Sequence, residues 1–323
     1  MTLLQAETEV PPSSGASRAR IRRRNRRSVN AGAPSHRGDA PLAWILIAPA
    51  LIGFIVFAVI PTVRGIYLSF TNFRILTPPI WVGIDNFVEM LQDDVFWNAL
   101  LVTVYFVVVA VALTMTFSVL TAAVLHRLTG STVIRGLIIL PFLISSVVAA
   151  TVWSWMLDNS LGVVNLLIES LGGDGLPFLT SRALVIPSIA LIHVWKSLGY
   201  TAIIIFAGLQ TIPPTIYEAG RIDGASEGQM FFRLTLPLLR PIIALVLVLN
   251  VIGALQVFDL VSVTTKGGPA NASNVLQMYI YGKAFGQFDF GYASAMSLSL
   301  FVILIAITFI QMRLLRANES DNS

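Results

Sequence analysis

Long stretches of this sequence contain no Asp, Glu, Lys or Arg: residues 40–63, 95–126, 136–157, 183–195, 197–217, 241–258 and 290–312. A helix needs about 20 apolar residues to cross the hydrocarbon core of a bilayer, whereas a barrel strand needs about ten with alternating polarity. Runs of this length predict transmembrane helices, in which the backbone satisfies its own polar groups within each span. The two runs flanking Lys196 join into one span. Six crossings are therefore expected, near 42–63, 98–124, 134–157, 184–209, 241–263 and 292–312. The composition agrees, with 55% hydrophobic and 12% charged residues against about 25% charged in soluble domains.

The chain has no cysteine, which excludes a disulfide framework and any thiolate metal site. His36, His126 and His193 are too scattered to suggest a metal cluster, and His193 reads as a hydrogen-bonded core residue. The segment RARIRRRNRRSVN at 18–30 has the arginine density of a nucleic-acid arm. Its position shortly before the first span instead marks that end as cytoplasmic and attracted to anionic lipid, and no nucleic-acid partner is expected. Residues 1–40 are expected to form a disordered basic cytoplasmic tail. A cleaved signal peptide is not expected, because the first apolar run is long and lacks an A-x-A-like site before a polar mature domain.

Six crossings from a cytoplasmic N-terminus put both termini, the short loop near 125–133 and the long loop 210–240 on the cytoplasmic side. Charge tests this. That side holds the arginines from Arg18 to Arg37 together with Arg127, Arg135, Arg221, Arg233, Arg240, Arg313 and Arg316; the other holds only Arg64, Arg74, Arg182, Lys266 and Lys283. The bias follows the positive-inside rule.

Within the long loop, residues 217–241 read YEAGRIDGASEGQMFFRLTLPLLRP. Thr215 and Glu218 have the spacing of a capping box, Gly224 is placed to turn the chain, Ser226 and Gln229 form a second box, and Pro237 is expected to end the segment. Two short helices at an angle, outside the membrane, are the predicted result. A stiff helix-turn-helix can pass a displacement to the spans at its ends, whereas a disordered loop would absorb it as conformational entropy. These residues alone fit equally a well-capped interfacial loop in which Glu218 is only a cap acceptor.

EAGRIDGAS followed by LTLP at 234–237 resembles the EAA loop of permease subunits in bacterial binding-protein-dependent ABC importers. Glu218, Ala219, Asp223, Gly224, Leu236 and Pro237 fit that pattern; Gly220 stands where a second alanine is usual and Leu234 where isoleucine is common. GIDNFVEMLQDDVFWNAL at 83–100, WKSLGY at 195–200, AGLQTIPPTIYEAG at 207–220 and VFDLVSVTTKGGPANAS at 257–273 resemble the carbohydrate-importing, maltose permease-like branch. The resemblance covers roughly residues 40–316. It implies an all-α integral membrane fold with a six-helix MetI-like core, organised as a transmembrane permease domain at 41–316, a coupling loop at 210–240 and a short cytoplasmic tail at 317–323. It also implies a second permease subunit, two cytoplasmic ATPase subunits and an extracytoplasmic solute-binding protein as partners in a bacterial cell membrane. The ATPases, not this chain, would bind ATP, so no cofactor or enzymatic activity is expected of it. Glu218, Ala219, Gly220, Asp223, Gly224 and Pro237 would form the ATPase-coupling surface, with Gly220 and Gly224 permitting close approach and the turn.

Inside the spans, Lys196 is a functional candidate because a charge at mid-membrane costs about 2.5–3.5 kcal/mol on insertion scales; it is equally read as a neutralised packing element, with Asp259 as one partner. On a continuous helix turning about 100° per residue, Gln256 and Asp259 lie about 60° apart and share a face, while Asn250 lies opposite Asp259. Gln256, Phe258 and Asp259, with Lys196, are the candidates for a solute path, since sugars are held by hydroxyl hydrogen bonds and aromatic stacking. Pro61, Pro141 and Pro187 are expected to kink their spans. No Gly-rich phosphate loop precedes Lys196-Ser197, so this chain is not expected to bind nucleotide. The competing classes are an ion-coupled secondary transporter, which would carry intramembrane carboxylates and an inverted repeat, and a glycerol-3-phosphate permease of the same ABC family. An integral-membrane enzyme would need clustered catalytic groups that the scattered acids do not supply.

Overall fold

The computed structural model describes residues 40–128 and 131–317. The basic tail expected at 1–40 lies, but for its last residue, outside the described residues, as does the C-terminal segment from residue 318. The chain divides into two compact units, ending at Pro61 and beginning at Thr62. In the first, α1 (Ala40–Phe54) is followed by a π-helical turn, Ile55–Val59, before α2 (Ile60–Leu68) begins.

The second unit continues through α3 (Asp85–Gln92), α4 (Asp94–Leu128), α5 (Thr132–Leu143), α6 (Ser146–Met156), α7 (Val163–Ser170) and α8 (Val185–Leu209). The long loop holds α9 (Pro214–Ile222), α10 (Glu227–Met230), a π-helical turn at Phe231–Thr235 and α11 (Leu236–Leu238). Then come α12 (Arg240–Leu255), α13 (Asp259–Thr264), α14 (Leu276–Tyr281) and α15 (Phe290–Ala317). Among the described residues, five helical stretches are long and apolar enough to cross a membrane: Trp44–Leu68, Asp94–Arg127, Val185–Leu209, Arg240–Thr264 and Phe290–Arg313. Counting the bent pair α5–α6 as one span gives six, the expected number.

That pair departs from the kinked but continuous span expected at 134–157. The axis turns by 90° between Leu143 and Ser146. Ile144 and Ser145 are extended, with ψ of 136° and 139°. Pro141 withholds an N–H from the last turn of α5, and the helix stops two residues later, at Leu143, instead of bending gently. Pro187 corrects a second expectation. It is the third residue of α8, where its missing N–H would have had no intrahelical partner, so it interrupts nothing. Pro61 follows a π-helical turn, as Pro237 does. In both places the wider turn gives the ring room against the carbonyl four residues earlier, and the helical path continues.

Within the second unit, α4 passes through three apolar clusters. Its first turns carry Phe96 and Ala99 into a cluster with Leu276, Tyr292 and Met296. Its middle carries Phe106 and Ala110 against Ile186 and Ile189 of α8 and Ala254 of α12. Its last turns carry Ala122 and Leu125 against Ile205 and Phe206 of α8 and Leu239 and Val246. Small residues let the helices approach closely, as is usual between membrane helices. A Cβ on Gly199 of α8 would lie 1.9 Å from the Ile138 carbonyl oxygen of α5, and one on Gly208 would lie 2.3 Å from Ile242 of α12. Asn250, a polar break in α12, donates to Thr201 Oγ1 of α8 at 3.3 Å and to the Val246 carbonyl at 2.9 Å. Its role is to join two helices.

Candidate functional site

The long loop is built on the third of those clusters. Its two ends, Ile212 and Leu239, are buried with side chains of α4, α8 and α12, so the loop is seated on three spans. Between these ends α9 folds back on the segment that follows it. Gly220 is buried because Leu234 and Met230 pack where its side chain would be, at 3.2 and 3.4 Å from a Cβ position. Tyr217 Oη and Thr235 Oγ1 are hydrogen-bonded at 3.2 Å, and Thr235 Oγ1 also donates to the Met230 carbonyl. Gly224 turns the chain at φ +78°, a conformation that residues with a Cβ rarely adopt. The Ala225 N–H bonds to the Gly220 carbonyl and closes the end of α9.

Both expected capping boxes lie in this loop, and one exists. Ser226 Oγ accepts from the Gln229 N–H, and Gln229 Oε1 accepts from the Ser226 N–H at 2.8 Å. The Thr215–Glu218 box does not form. The cap position of α9 is Pro213, with Pro214 first in the helix and no side-chain cap; two prolines set the helical entry through their fixed φ, and Thr215 is already inside it. Glu218 is thereby released from capping and stands exposed. Pro237 does not end the segment either. It lies within α11, and the turn comes at Leu239, just before Arg240-Pro241.

Of the expected coupling residues, Glu218, Ala219, Asp223 and Gly224 share the exposed tip of the loop. Gly220 lies beneath it, so the close approach it permits is to the loop's own second half. Pro237 is partly buried near the membrane end. Several residues not singled out in the sequence complete the site. Ile222 ends α9 at 86% exposed, an unusual place for a β-branched apolar side chain. Glu227 binds Arg127 of α4 at 2.8 Å and reaches Arg221 of α9 at 3.9 Å. Between the end of α4 and the loop is a cavity of about 350 Å³, lined by His126, Arg127, Glu218, Arg221, Glu227 and Phe231 among others. Alternating charge in the loop hints at ion pairs, but the partner Arg127 lies a hundred positions earlier and carries no local signal.

The residues expected along a solute path are placed differently from a shared helical face. The span breaks between α12 and α13: Gln256 has φ −100° and ψ 16°, and Phe258 has φ −135° and ψ −58°. The angular separation drawn from a continuous helix therefore does not apply. Gln256 and Asp259 are exposed on either side of this break, and Phe258 packs on Tyr281 at a ring distance of 4.9 Å. Among the described residues no ion pair joins Asp259 to Lys196. The Lys196 ammonium instead lies 5.4 Å from the centre of the Phe142 ring, which stacks on Tyr200 at 4.4 Å. A cation held on an aromatic face is partly compensated for its removal from water. His193, expected to be a hydrogen-bonded core residue, packs edge-on to Phe106 and meets Ser197 Oγ at 3.5 Å.

At the opposite end of α4, Asp93 accepts hydrogen bonds from the hydroxyls of Tyr279 and Tyr292 and from the backbone N–H groups of Val95 and Phe96. One carboxylate thus caps α4 and joins it to α14 and α15.

A profile described as "Binding-protein-dependent transport system inner membrane component" matches residues 114–320. Across a longer stretch the chain is similar to the sulfoquinovosyl glycerol transport system permease protein of Agrobacterium fabrum, 33% identical over 87% of this chain and 92% of that protein. It is also similar to the trehalose/maltose transport system permease protein of Thermococcus litoralis, 31% identical over 85% of this chain and 94% of that protein. Among solved structures it resembles a chain of a bacterial ABC transporter involved in the import of the acidic polysaccharide alginate. That match has a TM-score of 0.77 and 26% identity, and covers 87% of this chain and 97% of the other.

Proposed function

Because this chain belongs to the family of binding-protein-dependent transport system inner membrane components, we propose that its loop at 210–240 is the place where partner ATPases drive its spans. The chain is a multi-pass membrane permease subunit of an ABC-type importer. The carbohydrate nature of the solutes named for its relatives supports a sugar or oligosaccharide as its own cargo. A second permease subunit, two ATPase subunits and an extracytoplasmic binding protein complete the working assembly in this reading. The arginine bias supports a cytoplasmic position for the loop and both termini.

The observation that carries the reading is a stiff, exposed tip on an anchored base. Glu218, Ala219, Ile222 and Asp223 are exposed on or beside α9, offering a partner an apolar contact flanked by carboxylates. Everything beneath is fixed by Gly220 packing, the Tyr217–Thr235 bond and the cluster shared by α4, α8 and α12. A push on α9 therefore moves three spans, and the Glu227–Arg127 pair gives a second, direct connection to α4. Closure of the ATPases on ATP would switch the spans from inward-open to outward-open. Gln256, Phe258 and Asp259, at the break in the fifth span, and Lys196 are the side chains proposed to meet the solute on its way.

Reconstitution of the chain with its partner subunits tests this: sugar uptake should require ATP and the ATPases, and uptake driven by an ion gradient alone would overturn it. Gly224→Pro, which cannot adopt φ +78°, and Glu218→Lys should each abolish ATPase co-purification or coupling while membrane insertion persists. Full co-purification with normal transport would refute the loop assignment.

A further inference from the structure

Far from the loop, an open cleft of about 630 Å³ lies beside the N-terminal end of α4, within the range of about 300–1,000 Å³ typical of small-molecule sites. Val95 lines this cleft and Arg127 meets the loop, so about 48 Å of helix separates the two sites at about 1.5 Å per residue. Lys266, Lys283, Asn271, Asn274, Gln287 and Tyr279 contribute to its wall, which contains no carboxylate among the described residues. Neither lysine forms an ion pair among the described residues. Lys283 is held over the rings of Tyr279 and Tyr292, 5.5 and 5.0 Å from their centres, and those tyrosines are fixed by Asp93.

Asn274 is the telling residue. It is 8% exposed, it lines the cleft, and its carboxamide has no hydrogen-bond partner among the described residues. Its amide atoms are open to the cleft rather than sealed in the core, so they are available to a ligand there. Gly267 leaves room for it, since a Cβ there would lie 3.3 Å from the Asn274 side chain. The bordering loop holds Lys266, Ala270 and Asn271 at φ of 52°, 44° and 61°. Strained backbone of this kind persists only where neighbours impose it. Here the buried Ser273 does so, through its bonds to Thr265 Oγ1 and the Gly268 carbonyl.

We propose that this cleft binds an acidic sugar, its carboxylate or sulfonate held by Lys266 and Lys283 and its hydroxyls by the carboxamides of Asn274, Asn271 and Gln287. Two cations that form no ion pair among the described residues attract the anion, and carboxamides that both donate and accept suit hydroxyl groups. The inference rests on the importer reading, which puts the cleft on the outer face. There it sorts charged from neutral cargo before the cargo enters the spans.

Lysine acylation with an acetyl succinimidyl ester, read by mass spectrometry on the full chain assembled with its partner subunits in nanodiscs, tests it. Lysines of the partner ATPase subunits, which lie on the other side of the membrane in this reading, are the internal reference. Trigalacturonate should slow acylation of Lys266 and Lys283 relative to those ATPase lysines, while its methyl ester, with the same ring hydroxyls and no charge, should not. Lys266→Gln alters an exposed side chain and should weaken trigalacturonate binding about tenfold, the worth of one charge-assisted hydrogen bond; Asn274→Ala should weaken it as well. Equal acylation with and without trigalacturonate, equal protection by the ester, or protection only by sugar-free binding protein would each overturn the proposal. The assay needs neither ATP nor transport, so its failure is distinct from a failure of ATP-driven uptake.

Discussion

Burial raises the pKa of the Asp93 carboxyl, yet hydrogen bonds from Tyr279, Tyr292 and the N–H groups of Val95 and Phe96 outweigh it and hold the group below the ordinary value of 3.8. The folded chain thus binds this proton less well than the unfolded chain does. The stabilisation is fully present above the unfolded pKa and is lost as pH falls through the folded one. Asp93→Ala, which uncaps α4 and leaves two tyrosine hydroxyls without their acceptor, should cost about 1–3 kcal/mol at pH 7. Unfolding midpoints in nanodiscs should show that gap beginning to narrow as pH falls past the unfolded carboxyl's value of 3.8 and closing only as it passes through the lower folded one; a gap independent of pH would contradict the assignment. Ile222 leads to a different kind of test. At 86% exposed it contributes little to the chain's own stability, so Ile222→Asp should leave the unfolding midpoint unchanged and reduce ATPase co-purification at least severalfold. Neither residue stands out in the sequence. Asp93 is one of several acids between spans, and Ile222 reads as an ordinary apolar helix position; only the folded chain shows one gathering four donors and the other facing outward.

Among the elements, the helices were legible from their charge-free runs to within a few residues, because a span's length is set by the membrane and its ends by the first charges. The breaks within spans were not. Pro141 announces a kink, but a 90° turn depends on Ile144 and Ser145 both becoming extended, which no proline dictates. The interruption at Gln256–Phe258 has neither glycine nor proline to mark it; buried neighbours such as Leu255, Val257 and Leu260 settle the path there, and tertiary packing overrides local preference. In the loop, the Ser226 box was readable because both partners are local, while the Thr215 box was pre-empted by the two prolines before it. Gly199 gives the test at this scale. With the Ile138 carbonyl 1.9 Å from where its Cβ would lie, Gly199→Ala must push α5 away from α8. It should destabilise the protein by about 1–3 kcal/mol, the usual cost of overpacking, and an unchanged unfolding midpoint would show that these helices are not in close register.

For the whole molecule, α4 is the feature with the widest reach. It has no proline along Asp94–Leu128, contributes to all three apolar clusters, is capped by Asp93 at one end and paired with Glu227 at the other. Val108→Pro, at a position 60% exposed, removes one i→i−4 bond from the middle of this helix and kinks it. ATP hydrolysis and ATPase co-purification should survive, whereas coupled uptake should fall at least tenfold; undiminished uptake would show that α4 carries no mechanical load. An unbroken rod joining the acidic-sugar cleft to the loop behaves as a seesaw beam. Whatever settles at one tip changes the tilt available at the other, so cargo arriving outside would be felt by the nucleotide machinery before any solute has moved.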